Sequence, residues 1–214
     1  MQKVDFKKQD KALYTGRVGR FDRLDIPAMP FLMIDGHGDP NGPGYARAIA
    51  ALYGLSYALK FHSKKVLQRD YVVGPLEGLW WAQDMDSFVT RNKDQWDWTM
   101  MIRQPDWISS DMLALVRPIC IAKNAKKKDA PTHSDNFNAV RLETYQEGDC
   151  VQVMHIGSYD DEGPVLSKMH EEFMPKNGVV MRGKHHEVYL SDPRRIAPAK
   201  LKTILRQPVA VDRA

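Results

Sequence analysis

Two stretches of this chain repeat the same order of apolar and breaker segments, and this repeat is the strongest constraint on its fold. In each half a short apolar strand leads into a loop rich in glycine, proline or aspartate, at 35–44 and at 157–164. A helix is predicted after each loop, from amphipathic spacing in the first half and from Pro164 at its first position in the second. Each helix precedes a strand that carries a glutamate near aromatic residues, Glu77 in the first half and Glu187 in the second. The repeat predicts an α+β fold with two pseudo-symmetric β-α-β-β repeats around a central ligand pocket.

Composition shifts along the chain set the predicted boundaries. Residues 1–28 mix charges with scattered apolar positions and are interpreted as an N-terminal arm that packs along the surface. The segment 122–138 is rich in lysine and then contains proline, serine and asparagine, so it is predicted to be an exposed linker. Residues 29–214 are expected to form a single domain, with repeat one at about 29–121 and repeat two at about 139–214.

Apolar periodicity and turn residues locate the individual elements. The predicted strands are 31–34, 71–81 with an interruption at 74–75, 96–101, 139–145, 150–156 and 184–190, and the predicted helices are 45–60, 109–118 and 164–173. The segment 146–149 is predicted to be a hairpin turn between two of these strands.

The net charge does not indicate a nucleic-acid partner. The chain has 31 Lys and Arg against 27 Asp and Glu, which gives a formal charge of +4 and a pI of about 9.0. The excess is concentrated in short runs such as 64–65, 126–128 and 194–195, and such runs are usually solvated surface. Because no helix-turn-helix, zinc-finger or aromatic-basic RNA motif accompanies them, we expect no nucleic-acid binding.

Metal, cofactor and common hydrolase motifs are missing from the sequence. Cys120 and Cys150 have neither disulfide-framework nor zinc-site spacing, and the pair His185-His186 lacks the helical spacing of metal ligands. The loop 36–44 does not end in the Gly-Lys-Ser/Thr of a phosphate-binding loop, and there is no Gly-x-Ser-x-Gly nucleophile elbow. We therefore expect no metal and no cofactor.

The hydropathy of the chain indicates no membrane partner. No stretch approaches 18 consecutive apolar residues, and the N-terminus is polar and basic without the apolar run of a signal peptide. The expected location is the cytoplasm.

The strand at 184–190 carries the first candidate for chemistry. Alternate residues of a strand face the same side, so His185, Glu187 and Tyr189 should point together. If that side lines a pocket, burial raises the pKa of a carboxylate and would make Glu187 a competent general base. The alternative is an exposed glutamate on a solvent-facing strand.

The first half offers a second carboxylate and a group of tryptophans. Glu77 should share a face with Trp81, whereas Trp80 should point to the other face. Trp98 lies on the next strand, and at least one of these rings is expected to form a pocket wall on which a flat ligand stacks. The alternatives are a surface ion pair for Glu77 and plain core packing for the rings.

Three further side chains are candidates for ligand binding. Tyr145 and Tyr159 lie at predicted strand ends, where a hydroxyl could donate to a ligand carbonyl or simply cap a strand. His155 flanks a glycine turn, as does His37, and a structural histidine is the alternative in both positions.

Taken together, these segments resemble a known family. The run His155-Ile-Gly-Ser-Tyr159, the loop and helix after it, and Glu187-Val-Tyr189-Leu190 resemble the GyrI-like small-molecule-binding domain. The segments 74–81 and 96–102 are similar to those of a stand-alone subgroup.

The resemblance implies a fold of two β-α-β-β repeats around a central pocket that the Glu187 and Tyr189 pair lines. It also implies a flat, hydrophobic ligand, and it makes a hydrolase plausible, since some stand-alone members open the cyclopropane of yatakemycin- or duocarmycin-type DNA-alkylating antibiotics. In that reaction Glu187 would orient or deprotonate a water, and Tyr189 would hydrogen-bond the developing oxyanion.

Three other functions remain open at this point. The same pocket could sequester hydrophobic or cationic compounds without turnover. Haem or tetrapyrrole binding is a weaker alternative, and binding of a polyanion is the weakest.

Overall fold

A computed structural model describes residues 3–84 and 86–212, and its contacts divide the chain into two compact units. The first unit contains the residues up to Gln9 together with Met29–Pro75 and Ala82–Tyr145. The second contains Asp10–Ala28, Leu76–Trp81 and the residues from Gln146 onward. The chain therefore contributes two segments of its first half to the second unit.

Strands and helices are mixed along the whole described chain. The strands are β1 (Lys3–Val4), β2 (Asp22–Ile26), β3 (Met29–His37), β4 (Asp70–Tyr71), β5 (Leu76–Trp81), β6 (Asp97–Arg103), β7 (Arg141–Tyr145), β8 (Gly148–Ile156), β9 (Val179–Met181), β10 (His185–Tyr189) and β11 (Lys202–Val211). The helices are α1 (Phe6–Gln9), α2 (Pro43–His62), α3 (Asp86–Val89), α4 (Ser110–Ala125), α5 (Ser134–Ala139), α6 (Gly163–Ser167) and α7 (Met174–Lys176). Two π-helical turns, Ser63–Leu67 and Lys168–Phe173, continue α2 and α6.

In the first unit, β3 lies between β6 and β7 in an antiparallel arrangement. The apolar run of β3 is buried on both faces, which explains why it reads as continuous rather than alternating. Helix α2 packs against α4 and β3 through a face that is fully buried at Leu52, Leu55 and Leu59. Strands β1 and β4 form a separate parallel pair.

In the second unit the antiparallel strand order is β2-β8-β11-β10-β5, and β9 pairs with the end of β11. One face of this sheet packs on the segment α6–α7 through an apolar cluster that includes Val153, Leu205 and Met169. The order strand, helix, strand, strand occurs twice, as β3-α2-β5-β6 and as β8-α6-β10-β11, with the short elements β4, α3, α7 and β9 inserted between them. The predicted α+β class is confirmed.

Two local predictions are wrong. Helix α4 does not end near Pro118 but continues to Ala125, where the buried Asn124 side chain donates to the carbonyl of Thr132 at 2.8 Å. Packing and this side-chain bond outweigh the helical hydrogen bond that a proline cannot make. The predicted 146–149 hairpin does not form, since β7 pairs with β3 whereas β8 pairs with β11 and β2.

None of the described helices has the length and apolar character needed to cross a membrane.

Candidate functional site

Strand β10 presents two different faces, as its alternation predicts. His186 and Val188 are fully buried on one face, whereas His185, Glu187 and Tyr189 are partly exposed on the other. The side chains of His185 and Glu187 retain 13% and 14% of their exposure. The second face is therefore sheltered but reachable by solvent and small molecules.

Two aromatic side chains join this face and define what we call the Glu187 cluster: Trp80, Tyr159, His185, Glu187 and Tyr189. Strand β5 pairs with β10 so that Trp80 lies opposite His185, and its indole Nε1 donates to the Tyr189 hydroxyl at 3.0 Å. The rings of Tyr159 and Tyr189 meet edge to face with centroids 5.5 Å apart. Nε2 of His185 lies 3.5 Å from Oε1 of Glu187. A carboxylate, an imidazole and two phenols thus share one half-buried patch.

The surroundings of the cluster keep the Tyr159 hydroxyl protonated. Burial, followed by the charges of Glu187, Glu162 and Asp192, raises the pKa of Tyr159 to about 12. His170, on the π-helical turn after α6, has its pKa lowered to about 4 by burial and then by His185. At neutral pH this region therefore offers the phenolic hydrogen of Tyr159 and the uncharged imidazole of His170.

Three buried polar atoms in or next to the cluster make no hydrogen bond to the described residues. Within the described ranges, neither ring nitrogen of His185 makes a hydrogen bond, and neither does the hydroxyl of Thr203, which is 0% exposed and lies opposite Tyr189. Buried polar groups are normally satisfied, and exceptions concentrate at sites that bind something. The arrangement can accept a proton, donate hydrogen bonds and stack against a flat ring.

The opposite face of the same sheet holds a buried charge network that sequence reasoning missed. His186 is 1% exposed, and its two ring nitrogens contact two carboxylates: Nε2 lies 3.1 Å from Glu77 and Nδ1 lies 2.9 Å from Glu147. Arg206 donates to Glu147 at 3.1 Å and to the side-chain oxygen of Gln152 at 3.1 Å. We call these five residues the His186 network.

The N-terminal segment covers this network from within the same unit. The Tyr14 hydroxyl donates to Glu77 at 3.4 Å, and Arg206 donates to the carbonyl of Leu13 at 2.8 Å. The predicted arm is therefore held by buried polar contacts rather than by surface packing alone.

The charges of the network set its protonation. Burial alone would raise the pKa of Glu147, but the charges and hydrogen bonds of His186 and Arg206 lower it to about 2. Burial opposes protonation of His186, yet Glu147 and Glu77 raise the pKa of that imidazole above its ordinary value. Two anions and two cations thus neutralise one another inside the unit.

Glu77 and Glu187 therefore lie on opposite faces of the sheet and do not face each other. The signal that could have found the network is Arg206, because a charge in the middle of a mostly apolar strand requires a buried partner. Glu147 gave no such signal, because its neighbours resemble an exposed turn.

The other predicted residues occupy several places. In the second unit, Nζ of Lys184 lies 3.2 Å from the ring centre of Trp81, and Nε2 of His155 hydrogen-bonds the carbonyl of Ser158 at 3.0 Å. His155 thereby holds the loop that carries Tyr159.

Trp98 and Tyr145 belong to the first unit. Trp98 is 3% exposed, packs edge to face on Tyr45 and donates to the carbonyl of Gly38 at 3.2 Å, which is a core environment. His37 pairs with Asp97 at 2.8 Å on the surface. Across the part of the chain that the structure describes, no group of three or more His, Cys, Asp or Glu could hold a metal ion.

Several proteins of known structure share this fold. A protein of unknown function from Listeria innocua is 38% identical, with a TM-score of 0.86, and the match covers 97% of this chain and 100% of that one. A hydrolase from Listeria innocua is 37% identical, with a TM-score of 0.82 over 97% of this chain and 100% of that one. The C-terminal domain of EcmrR shares the fold at 12% identity, with a TM-score of 0.55 over 90% of this chain and 98% of that domain.

No curated protein matches the chain in sequence. The family model of the GyrI-like small molecule binding domain matches residues 22–209, which include most of both units and the whole Glu187 cluster. The chain belongs to the GyrI-like family of small-molecule-binding domains.

Proposed function

We propose that this protein is a cofactor-independent hydrolase that adds water to the cyclopropane ring of yatakemycin- or duocarmycin-type antibiotics and thereby gives drug resistance. The observation that carries the proposal is the half-buried carboxylate of Glu187 beside His185, Tyr159 and Tyr189. The 37% identity to a Listeria innocua hydrolase supports hydrolysis as the reaction class. The substrate class comes from the resemblance of the motifs to the stand-alone subgroup.

Glu187 acts as the general base. Its carboxylate takes a proton from a water, and the water oxygen forms a bond to the cyclopropane carbon. The strained carbon–carbon bond breaks, and its electron pair moves through the dienone to the carbonyl oxygen, which becomes a phenolate. The proton held by Glu187 then returns through solvent to this oxygen, so the net change is the addition of one water.

Tyr189 and Tyr159 stabilise the oxygen that gains charge. The Tyr189 hydroxyl accepts from Trp80 Nε1, and a hydroxyl that accepts one hydrogen bond becomes a stronger donor through its own hydrogen. Tyr159 keeps its proton because its pKa is raised to about 12. Donors placed toward a developing oxyanion account for a large share of catalysis in many enzymes.

The aromatic rings position the substrate. A flat polycyclic molecule that stacks on the partly exposed Tyr159 or Tyr189 gains about 0.5–1.5 kcal/mol per ring pair beyond the burial of its surface, and the buried Trp80 supports Tyr189 from behind. For a substrate that already carries a strained electrophilic ring, holding a water and the ring carbon together supplies much of the rate.

The test is a time course of a duocarmycin-type cyclopropane with the purified protein in heavy-oxygen water, read by mass spectrometry. We expect catalytic formation of a product that carries one heavy oxygen. Glu187→Gln should slow turnover by about 10²–10⁴-fold, the usual contribution of a general base. Glu172→Gln, which neutralises a carboxylate whose side chain is 59% exposed, is the matched control and should leave turnover unchanged.

Binding without turnover would refute the hydrolase and establish sequestration, the alternative function of the same site. Turnover that survives Glu187→Gln would refute the role of that carboxylate while leaving the reaction intact.

A further inference from the structure

Helix α2 and the π-helical turn after it form a cationic segment without acidic residues. From Pro43 to Arg69 the chain holds five Lys or Arg and no Asp or Glu, although it contains 27 acidic residues in total. Lys60 forms a partly buried ion pair with Asp70 and is not available to a partner. The ammonium group of Lys64 lies 3.6 Å from the same carboxylate, but its side chain is 56% exposed. Lys65 is also exposed, so the end of the helix presents positive charge to solvent.

The same segment exposes an apolar stripe. Its members and their exposures are Tyr57 47%, Phe61 59%, Val66 62% and Leu67 41%. The rings of Tyr53, Tyr57 and Phe61 follow one another at helical spacing, with centroids 6.3 and 6.4 Å apart. Because the opposite side of α2 supplies the core of this unit, the stripe is not required for packing.

We propose that the exposed face formed by Tyr57, Phe61, Val66 and Leu67, with Lys64 and Lys65 beside it, adsorbs to the surface of an anionic lipid bilayer. A helix with apolar and aromatic residues next to lysines, and no acidic residue, has the composition of a segment that lies in the membrane interface. The aromatic and aliphatic side chains enter the headgroup boundary while the lysine ammonium groups remain at the phosphates. This surface is independent of the proposed hydrolysis, and it revises the expectation that the protein has no membrane partner.

The apolar members favour lipid over nucleic acid as the anionic partner. A phosphate backbone is recognised by cations and hydrogen-bond donors, and it gains nothing from exposed valine and leucine. An acyl boundary gains from each of them, since every buried apolar group contributes to transfer from water. Binding that needs both the lysines and the apolar side chains therefore identifies a bilayer.

The experiment is co-sedimentation of the full-length protein with vesicles of phosphatidylcholine containing about 30% phosphatidylglycerol, compared with phosphatidylcholine alone, at about 0.15 M salt. Lys64→Glu/Lys65→Glu should weaken partitioning by at least about 25-fold, since each lysine near an anionic surface is worth about fivefold. Phe61→Ser/Val66→Ser should weaken it by about tenfold or more.

Two matched variants change the same chemistry elsewhere. Lys126→Glu/Lys127→Glu alters two other exposed lysines, and Val18→Ser alters another valine that is 62% exposed. Both should bind vesicles within about twofold of the unchanged protein. Circular dichroism of each variant establishes that the fold is retained.

The proposal is overturned if the unchanged protein stays in the supernatant with anionic vesicles. It is also overturned if only the lysine variant loses binding and a duplex DNA probe is bound equally well, because the surface is then a polyanion site. Vesicle binding is measured without substrate, so the membrane proposal and the proposed hydrolysis can fail independently of each other.

Discussion

Acid should weaken the protein through one buried carboxylate, Glu147. Its pKa is about 2 in the folded chain, against an ordinary 4.5, because His186 and Arg206 stabilise the charged form. A depressed folded pKa contributes stability that is present above the unfolded value and is lost as the pH falls toward the folded value. The window in which this contribution disappears is therefore pH 4.5 to 2.

The size of the effect follows from the shift. Each pKa unit corresponds to about 1.4 kcal/mol, so at about pH 5.5 Glu147 contributes on the order of 3 kcal/mol to the free energy of unfolding. About 2 kcal/mol of this should be lost by about pH 3, where the unfolded chain is mostly protonated and the folded carboxylate is not.

The assay is urea unfolding followed by circular dichroism at about pH 5.5 and about pH 3, for the unchanged protein and for Glu147→Gln. At the higher pH, Glu147→Gln should be less stable than the unchanged protein by about 3 kcal/mol or more, because losing this carboxylate leaves two buried cations facing one anion. This difference in the free energy of unfolding should narrow to about 1 kcal/mol at the lower pH.

Asp192 supplies the control. Its pKa is also lowered to about 2, by Arg194 and Arg195, but it lies on the surface. Solvent screens such pairs, so Asp192→Asn should leave the acid dependence unchanged at about 0.15 M salt. A gap between the unchanged protein and Glu147→Gln that is the same at both pH values would refute the reasoning.

Two further perturbations test other parts of the structure. His170 has a folded pKa of about 4, so its burial destabilises the folded chain as the pH falls from 6.5 to 4. His170→Phe should reduce this loss of stability, measured by urea unfolding at several pH values. The same dependence of the free energy of unfolding on pH in the variant would contradict the prediction. A Cβ added at Gly36 would overlap the ring of Trp98, so Gly36→Ala should lower the free energy of unfolding by about 1–3 kcal/mol, whereas Gly44→Ala, where a Cβ meets open space, should not.

Local patterns in the sequence determined the elements and one face of the site. The alternation of His185, Glu187 and Tyr189 placed three side chains together because strand geometry has a period of two, whatever the strand pairs with. The opposed directions of Trp80 and Trp81 follow from the same rule. The repeat of strand, loop and helix was sufficient for the α+β class.

Only the tertiary structure decided which distant residues meet. Glu147, His186 and Arg206 are separated by 39 and 20 positions in the chain. Strand pairing places His186 opposite Arg206, and the turn before β8 brings Glu147 to hydrogen-bond distance of both. The placement of β5 in the second unit, rather than with its neighbours in sequence, assigned Glu77 to His186 instead of to Glu187. Burial and charge pairing are properties of assembled strands, so no local pattern could distinguish a buried carboxylate in a network from an exposed one in a turn.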